Sequence, residues 1–199
     1  MIMSFRKEKK IRLSKFDFDS LKNKLRLNAM QPLYPRRVIN SLYYDTEVLS
    51  MFHDSEEGLL PRKKVRIRWY DGIKQAQNEV KISSAEGRFK TTSFADMASE
   101  TALPQSLYES SYGVIYPSLL VSYTREYFSF KSMRITFDSH IQYKNYRKSQ
   151  KIAYKDGECV MEVKMALDVP DDYIESVLPF PTSRFSKYSR GLLISNGEL

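Results

Sequence analysis

Arg62-Lys63-Lys64-Val65-Arg66-Ile67-Arg68-Trp69-Tyr70 is the stretch on which the reading of this chain turns. In an extended strand successive side chains point to opposite faces. Arg62, Lys64, Arg66 and Arg68 therefore share one face, and Val65, Ile67 and Trp69 share the other. The same division recurs at Arg6, Glu8, Lys10 and Arg12, at Glu79 and Lys81, at Tyr123, Arg125 and Tyr127, at Arg134, and at Glu162 and Lys164. Val80, Ile82, Ile135, Phe137, Met161, Val163 and Met165 supply the apolar faces. A half-exposed antiparallel sheet normally carries a mixed-sign polar face. Here Arg and Lys outnumber Glu on strand after strand, as on a surface built to hold a polyanion.

Composition sets the bounds. A chain of 199 residues with 42% hydrophobic content can bury a real core and fits one domain, residues 1–199. A net charge of +8 and a pI near 9.4 favour an anionic partner. No stretch approaches the roughly 20 apolar residues of a membrane span, and the opening Met-Ile-Met-Ser-Phe-Arg-Lys-Glu lacks the apolar region of a signal peptide. The single cysteine, Cys159, excludes an internal disulfide. The expectation is a soluble, cytoplasmic protein.

Along the chain, a first strand runs to about Leu13. An amphipathic helix over Phe16 to Leu27 follows, begun by Asp17 or Asp19. Pro32 and Pro35 mark a loop before a strand at Val38 to Asp45, and a short helical turn fits Glu47 to His53. Strands at Arg62 to Tyr70 and Gln77 to Ser83 are joined around Asp71-Gly72, a dipeptide that favours a tight hairpin. Thr91 to Tyr112 reads as helical, divided at Pro104. Strands resume at Leu119 to Phe130, Met133 to Asp138, His140 to Tyr146 and Glu158 to Met165. Pro170 suits the first turn of a helix carrying Ile174 and Val177, and a last helix follows Phe185.

About eight strands with charged faces leave two architectures. An open sheet would present a shallow basic platform of the kind nucleic acids use. A curled sheet would place the charged faces inside a barrel and its apolar exterior under the helices. Eight strands close around an interior wide enough for one narrow ligand. The apolar faces need the helical cover, which favours an α+β fold: an eight-stranded antiparallel β-barrel tunnel with a charged interior, flanked by helices. Cations packed this densely repel one another, and a bound polyanion relieves that repulsion.

The segments Glu8-x-Lys10, Ser41-Leu42-Tyr43-Tyr44-Asp45, Arg66-Ile67-Arg68-Trp69-Tyr70, Glu79-Val80-Lys81, Tyr123-x-Arg125, Arg134-Ile135-Thr136-Phe137-Asp138, Glu162-Val163-Lys164 and Arg184-Phe185-Ser186-Lys187 occur in that order. Together they resemble the VTC domain, the polyphosphate polymerase module of the triphosphate tunnel metalloenzyme (CYTH-like) superfamily. The resemblance implies a tunnel that binds a triphosphate such as ATP, or polyphosphate, together with Mn²⁺ or Mg²⁺. In fungal relatives the γ-phosphate of a nucleoside triphosphate is transferred to a growing phosphate chain. By motif position, Lys10, Arg66, Arg68, Lys81, Arg125 and Arg134 are the expected phosphate-binding cations of the catalytic set, and Glu162 is its metal-coordinating carboxylate. Tyr123 is expected to donate a hydrogen bond, and Arg184, Ser186 and Lys187 to contact phosphate near one mouth.

The chemistry is consistent with these roles. Arg offers planar bidentate donors to phosphate and Lys a movable point charge, while a helix N-terminus favours anions at Ser186 and Lys187. Mg²⁺ and Mn²⁺ accept one or two carboxylates plus substrate phosphates, so Glu162 alone suffices on the protein side. Hydrolytic relatives carry Glu-x-Glu-x-Lys on the first strand. This chain has Arg6-Lys7-Glu8-Lys9-Lys10, which removes one carboxylate and turns the expectation from triphosphatase or polyphosphatase toward polymerase or non-catalytic polyphosphate-binding module. Glu8 remains the nearest candidate to position a water. Glu79 reads as a structural partner of the cations, a role open to Glu162 as well, and Asp138 as a strand-end turn residue or a site residue. One of Tyr43 and Tyr44 faces the tunnel and the other the core. His53, His140 and Cys159 receive no role, and no nucleic-acid partner is expected. Membrane coupling would require a separate partner protein.

Overall fold

The computed structural model describes residues 6–71, 75–96, 102–150, 152–178 and 180–199. The side chain of Arg6, Gly72 of the Asp71-Gly72 pair, and residues 97–101 of the stretch read as helical lie outside the described residues. The elements are β1 (Arg6–Leu13), α1 (Lys15–Leu27), β2 (Gln31–Asp45), α2 (Ser50–Glu57), β3 (Arg62–Tyr70), β4 (Gln75–Ser84), β5 (Gly87–Asp96), β6 (Leu107–Glu109), β7 (Gly113–Phe130), β8 (Met133–Asn145), β9 (Ala153–Lys155), β10 (Cys159–Ala166), α3 (Asp171–Val177) and α4 (Lys187–Asn196). Eight strands pair in the order β1-β10-β8-β7-β2-β3-β4-β5, with β6 on β7 and β9 on β8. The expected α+β architecture of eight principal antiparallel strands with helices is the one found.

The chain forms two compact units. The first takes residues up to Val38, Tyr123–Ile141 and Lys155–Phe185. In it β1 pairs antiparallel with β10, and β10 with β8. Their apolar face carries Ile11, Leu13, Ile135, Phe137, Met161, Val163 and Met165, covered by Phe18, Leu21 and Leu25 of α1 and Ile174 of α3. Phe18 meets Phe137 edge-on at 5.1 Å. Each such buried side chain contributes about 1.5–3 kcal/mol of transfer free energy.

The second unit takes Ile39–Ser122, Gln142–Tyr154 and Ser186–Leu199. In it β2, β3, β4 and β5 pair in succession, all antiparallel. Leu42, Tyr44, Val65, Ile67 and Trp69 form its core with Met51 of α2 and Leu103, Ile115 and Leu120. Asp45, fully buried, organises the helices of this unit. Its Oδ1 accepts from the backbone N–H groups of Thr46 (2.7 Å) and Met51 (2.9 Å), and its Oδ2 from Phe52 (3.0 Å) and the Tyr188 hydroxyl of α4 (2.6 Å). It thus satisfies orphan N–H groups at the start of α2, whose own N-cap residue Leu49 offers no side-chain acceptor.

Several boundaries differ from the sequence reading for local reasons. Thr91 to Asp96 is strand, not helix: β5 returns from β4 through the Ser84↔Gly87 pair, a two-residue hairpin loop. The α1 N-cap is Ser14 and not an aspartate, because Ser14 Oγ accepts from Asp17 N (3.1 Å) and donates to Asp17 Oδ2 (2.7 Å). Pro32 and Pro35 lie within β2 rather than in a loop, in its exposed first half. The helical turn placed at Glu47 to His53 is α2, Ser50–Glu57. The two strands expected at Met133–Asp138 and His140–Tyr146 are one, β8, with a local break in extended geometry at His140 (φ 53°).

Gly191 of α4 sits where a Cβ would lie 2.3 Å from the Tyr143 ring and 2.6 Å from Leu119. Gly191→Ala is therefore expected to lower the urea unfolding free energy by about 1–3 kcal/mol, although alanine is the better helix former; an unchanged midpoint would show that this contact yields freely.

Candidate functional site

The register fixes which charged side chains share a face. In the second unit, Tyr43 lies opposite Arg66 and Ser41 opposite Arg68, while Arg66 lies opposite Glu79 and Lys64 opposite Lys81. Lys81 in turn lies opposite Lys90, so Lys64, Lys81 and Lys90 form one row across three strands. Like charges in direct cross-strand opposition are destabilising. Arg62, Lys64, Arg66, Arg68, Lys81, Arg88 and Lys90 lie on this face by register, with the carboxylate of Glu79 among them.

Glu79 holds the arrangement. Arg66 Nε donates to Glu79 Oε2 at 2.7 Å, Lys90 Nζ donates to Oε1 at 2.7 Å, and Arg68 Nη1 lies 3.9 Å from Oε2. Burial alone would raise the Glu79 carboxyl; Arg66, Arg68 and Lys90 overcome it and hold the group well below the carboxylate range. Arg66 also donates through Nη1 to the Tyr43 hydroxyl (2.9 Å), and Arg68 through Nε to Ser41 Oγ (3.1 Å). Burial would raise the Tyr43 phenol, but Arg66, Arg68 and Lys64 bring it below its ordinary value. Tyr43 is thus the tyrosine on the charged face. Tyr44 packs in the core, donates to the Pro104 carbonyl (2.8 Å), and is pushed up to about 12 by burial.

In the first unit the face carries Glu8, Lys10 and Arg12 of β1, Lys164 and Glu162 of β10, and Arg134, Thr136 and Asp138 of β8; Lys10 pairs with Glu162, and Glu162 with Thr136. Lys164 Nζ stands 2.9 Å from Glu162 Oε1 and 3.5 Å from Glu8 Oε2, so one ammonium joins two carboxylates. Arg125 makes a two-pronged pair with the fully buried Asp138, Nε to Oδ1 at 2.5 Å and Nη2 to Oδ2 at 2.7 Å, and reaches Glu162 Oε2 at 3.4 Å. Burial pushes the Glu162 carboxyl up, but Arg125, Lys164 and Lys10 together hold it well below its usual range. The Arg125 guanidinium lies over the Tyr123 ring at 5.3 Å, and that of Arg134 over Tyr34 (5.5 Å) and Tyr127 (5.6 Å).

The C-terminal candidates occupy different positions. Lys10 Nζ donates to the Phe185 carbonyl (2.8 Å) and its own carbonyl accepts from Ser183 N (2.7 Å), which ties β1 to the segment bearing exposed Arg184. In the second unit Ser186 is the N-cap of α4, its Oγ accepting from Ser189 N (3.3 Å) and from Lys64 Nζ (2.8 Å); Lys187 begins the helix. The sequence reading assigned no role to Lys90 and Lys164 and left Asp138 open. Lys164 and Asp138 were legible from their period-2 spacing with Glu162 and Thr136. Lys90 was hidden by the misread β5.

A cross-strand lattice of cations fixed by buried carboxylates is the setting for the comparisons with known proteins. The VTC domain profile matches residues 5–196, nearly the whole chain. The chain belongs to the VTC domain family. No curated protein matches it. Among solved structures, this VTC domain is similar to a Bacillus halodurans protein provisionally assigned as an adenylate cyclase (12% identity, 98% of this chain and 91% of the other, TM-score 0.54). It is also similar to a Hippeastrum protein provisionally assigned as an adenylyl cyclase, with a dominant triphosphatase activity (14%, 98% and 97%, 0.54), and to a Pyrococcus horikoshii protein (14%, 96% and 99%, 0.53). At these identities the likeness shows a shared fold.

Because Glu79 and Glu162 are held below their unfolded value of about 4.3, the stability each contributes is complete above that pH. It is lost as pH falls toward the folded pKa. A urea-midpoint series from pH 6 to pH 3 is expected to fall with acid. Glu79→Gln is expected to cost about 3–5 kcal/mol near neutrality, by leaving Arg66 buried without its counter-charge, and to fall less steeply with acid; a curve parallel to the wild type would remove Glu79 from this role.

Proposed function

We propose that this VTC domain is a metal-dependent phosphotransferase of the polyphosphate polymerase type, acting on a triphosphate such as ATP and extending a polyphosphate chain. The observation that carries the reading is the face of the second unit, where Lys64, Arg66, Arg68, Lys81 and Lys90 gather around the buried carboxylate of Glu79. Such a concentration of cations on one sheet face favours a polyanionic ligand. Lys10, Arg66, Arg68, Lys81, Arg125 and Arg134 are the proposed phosphate-binding cations, with Tyr123, Arg184, Ser186 and Lys187 as further phosphate contacts.

In the proposed transfer an oxygen of the terminal phosphate of the acceptor chain attacks the γ-phosphorus of ATP. The bond from that phosphorus to the β,γ-bridging oxygen breaks, and ADP leaves with the electron pair. The acceptor oxygen is already anionic, so the step asks for positioning and charge neutralisation rather than a strong base. Arginines suit this work when one edge is anchored: Arg66 on Glu79 and Arg125 on Asp138 have little freedom left to lose when phosphate binds.

A divalent metal is compatible with the first unit's donors. Glu162 and Glu8 are hard oxygen donors on one face, already sharing one cation, the Lys164 ammonium. Among the described residues no group of three or more metal-ligating side chains occurs, which matches ions that take one or two carboxylates plus substrate phosphates. Glu162, with Glu8 beside it, would hold Mn²⁺ or Mg²⁺, which supplies charge neutralisation at the phosphates. The second reading, a triphosphatase like the Hippeastrum protein, is favoured by Glu8, a carboxylate on this face able to orient a water.

The test is incubation with ATP and Mn²⁺ or Mg²⁺, with products resolved as phosphate chains on a gel. A ladder of chains, lost in Glu162→Gln while tripolyphosphate binding persists, is the expected result. Orthophosphate without chains would make the protein a hydrolase. Binding without turnover would make it a polyphosphate-holding module. Arg66→Ala is expected to weaken tripolyphosphate binding at least tenfold, against little change for an exposed lysine such as Lys155→Ala; equal losses would mean diffuse electrostatics.

A further inference from the structure

Thr136 stands out on the charged face of the first unit. It is 2% exposed, and its Oγ1 has no hydrogen-bond partner. The register sets it directly opposite Glu162, and strand alternation places it on the same face as Arg134 and Asp138. A threonine hydroxyl both donates and accepts, so two carboxylates nearby would ordinarily satisfy it. Here both are committed elsewhere: Asp138 is gripped through both oxygens by Arg125, and Glu162 is held by Lys164 and Arg125. Arg134, the neighbour two residues back, likewise has a buried Nε with no hydrogen-bond partner. Two unmatched donors thus lie side by side on one strand face, among anchored cations.

A buried hydroxyl without a partner is destabilising, and packing alone would be served as well by valine. Keeping the hydroxyl at such a position points to a ligand that accepts a hydrogen bond. The surrounding charge selects its chemistry: Lys10, Arg125, Arg134 and Lys164 favour an anion, and phosphate oxygens accept from hydroxyl and guanidinium donors together. We propose that Thr136 is a substrate-contacting residue whose hydroxyl, beside Arg134 Nε, donates to a phosphate oxygen of the bound triphosphate or polyphosphate. The inference rests on the phosphate-binding reading given above, and it adds a buried threonine hydroxyl to the proposed phosphate contacts.

The test compares Thr136→Val, which keeps the branched shape and removes the hydroxyl, with Thr136→Ser, which keeps the hydroxyl. Tripolyphosphate affinity is measured by calorimetry, and the melting temperature without ligand is measured in parallel. Thr136→Val is expected to leave the ligand-free melting temperature unchanged or raised and to weaken tripolyphosphate binding about tenfold. Thr136→Ser is expected to restore most of that affinity. Wild-type affinity in Thr136→Val would overturn the proposal, and so would a melting temperature that falls without ligand while affinity holds, since the hydroxyl would then be serving the fold. A wild-type protein that fails to bind tripolyphosphate would overturn the phosphate-binding reading and this proposal together, whereas tight wild-type binding with no effect of Thr136→Val overturns this one alone.

Discussion

Arg66 and Arg125, drawn out of water by the sheet, are each held by a carboxylate on a neighbouring strand, and the pairing of Arg66 with Glu79 and of Arg125 with Asp138 is the constraint around which both charged faces are arranged. An arginine cannot shed its charge, so burial is tolerated only with a counter-ion and matched hydrogen bonds. Glu79 and Asp138, 2% and 0% exposed, cannot meet that demand from solvent and must be delivered by register. Opposed cross-strand positions do this for Glu79, and alternation along β8 sets Asp138 on the face that Arg125 reaches. A slip of one residue would carry these carboxylates into the apolar cores and turn the core residues outward.

The same pairing shapes what the faces can do. A guanidinium fixed through one edge keeps donors on its other edges, so it meets a phosphate with little further ordering. The lysines differ: Lys64, Lys81 and Lys90 stand in one row, with Lys90 on Glu79 and Lys64 on Ser186. Anchored arginines give geometry and the lysine row gives attraction. The aromatic rings beneath Arg125 and Arg134 add a third support, holding the planar groups without spending any of their hydrogen bonds. Glu162 sits among Lys10, Lys164 and Arg125, which hold its carboxyl well below its usual range.

Much of this was legible in the residues. The period-2 alternation of Arg62 to Tyr70, Glu79 to Ile82, Arg134 to Phe137 and Met161 to Met165 identified strands and sorted faces, and the register agrees residue by residue. The failures were local. Thr91 to Asp96 lies in β5 at the end of the strand order, where Phe94 is 72% exposed and no apolar face marks the strand. The β2 prolines signalled a break because proline cannot donate to a ladder, yet the exposed half of that strand tolerates them. The α1 cap was missed because two aspartates follow the serine that does the capping.

Sequence by itself determined the alternation of charge and apolarity, the excess of positive charge, the helices that cover the apolar faces, and the family to which the chain belongs. These follow from side-chain chemistry and backbone periodicity, properties of residues close together in the chain. Tertiary structure alone decided which carboxylate meets which cation, that Lys64, Lys81 and Lys90 stand in one row, that Lys164 joins Glu8 to Glu162, and that Thr136 is buried with its hydroxyl unmatched. The reason is distance along the chain: Glu8 and Lys164 are separated by most of the sequence and become neighbours only through the pairing of β1 with β10. Partners of that kind are set by strand register, which depends on the whole packed sheet.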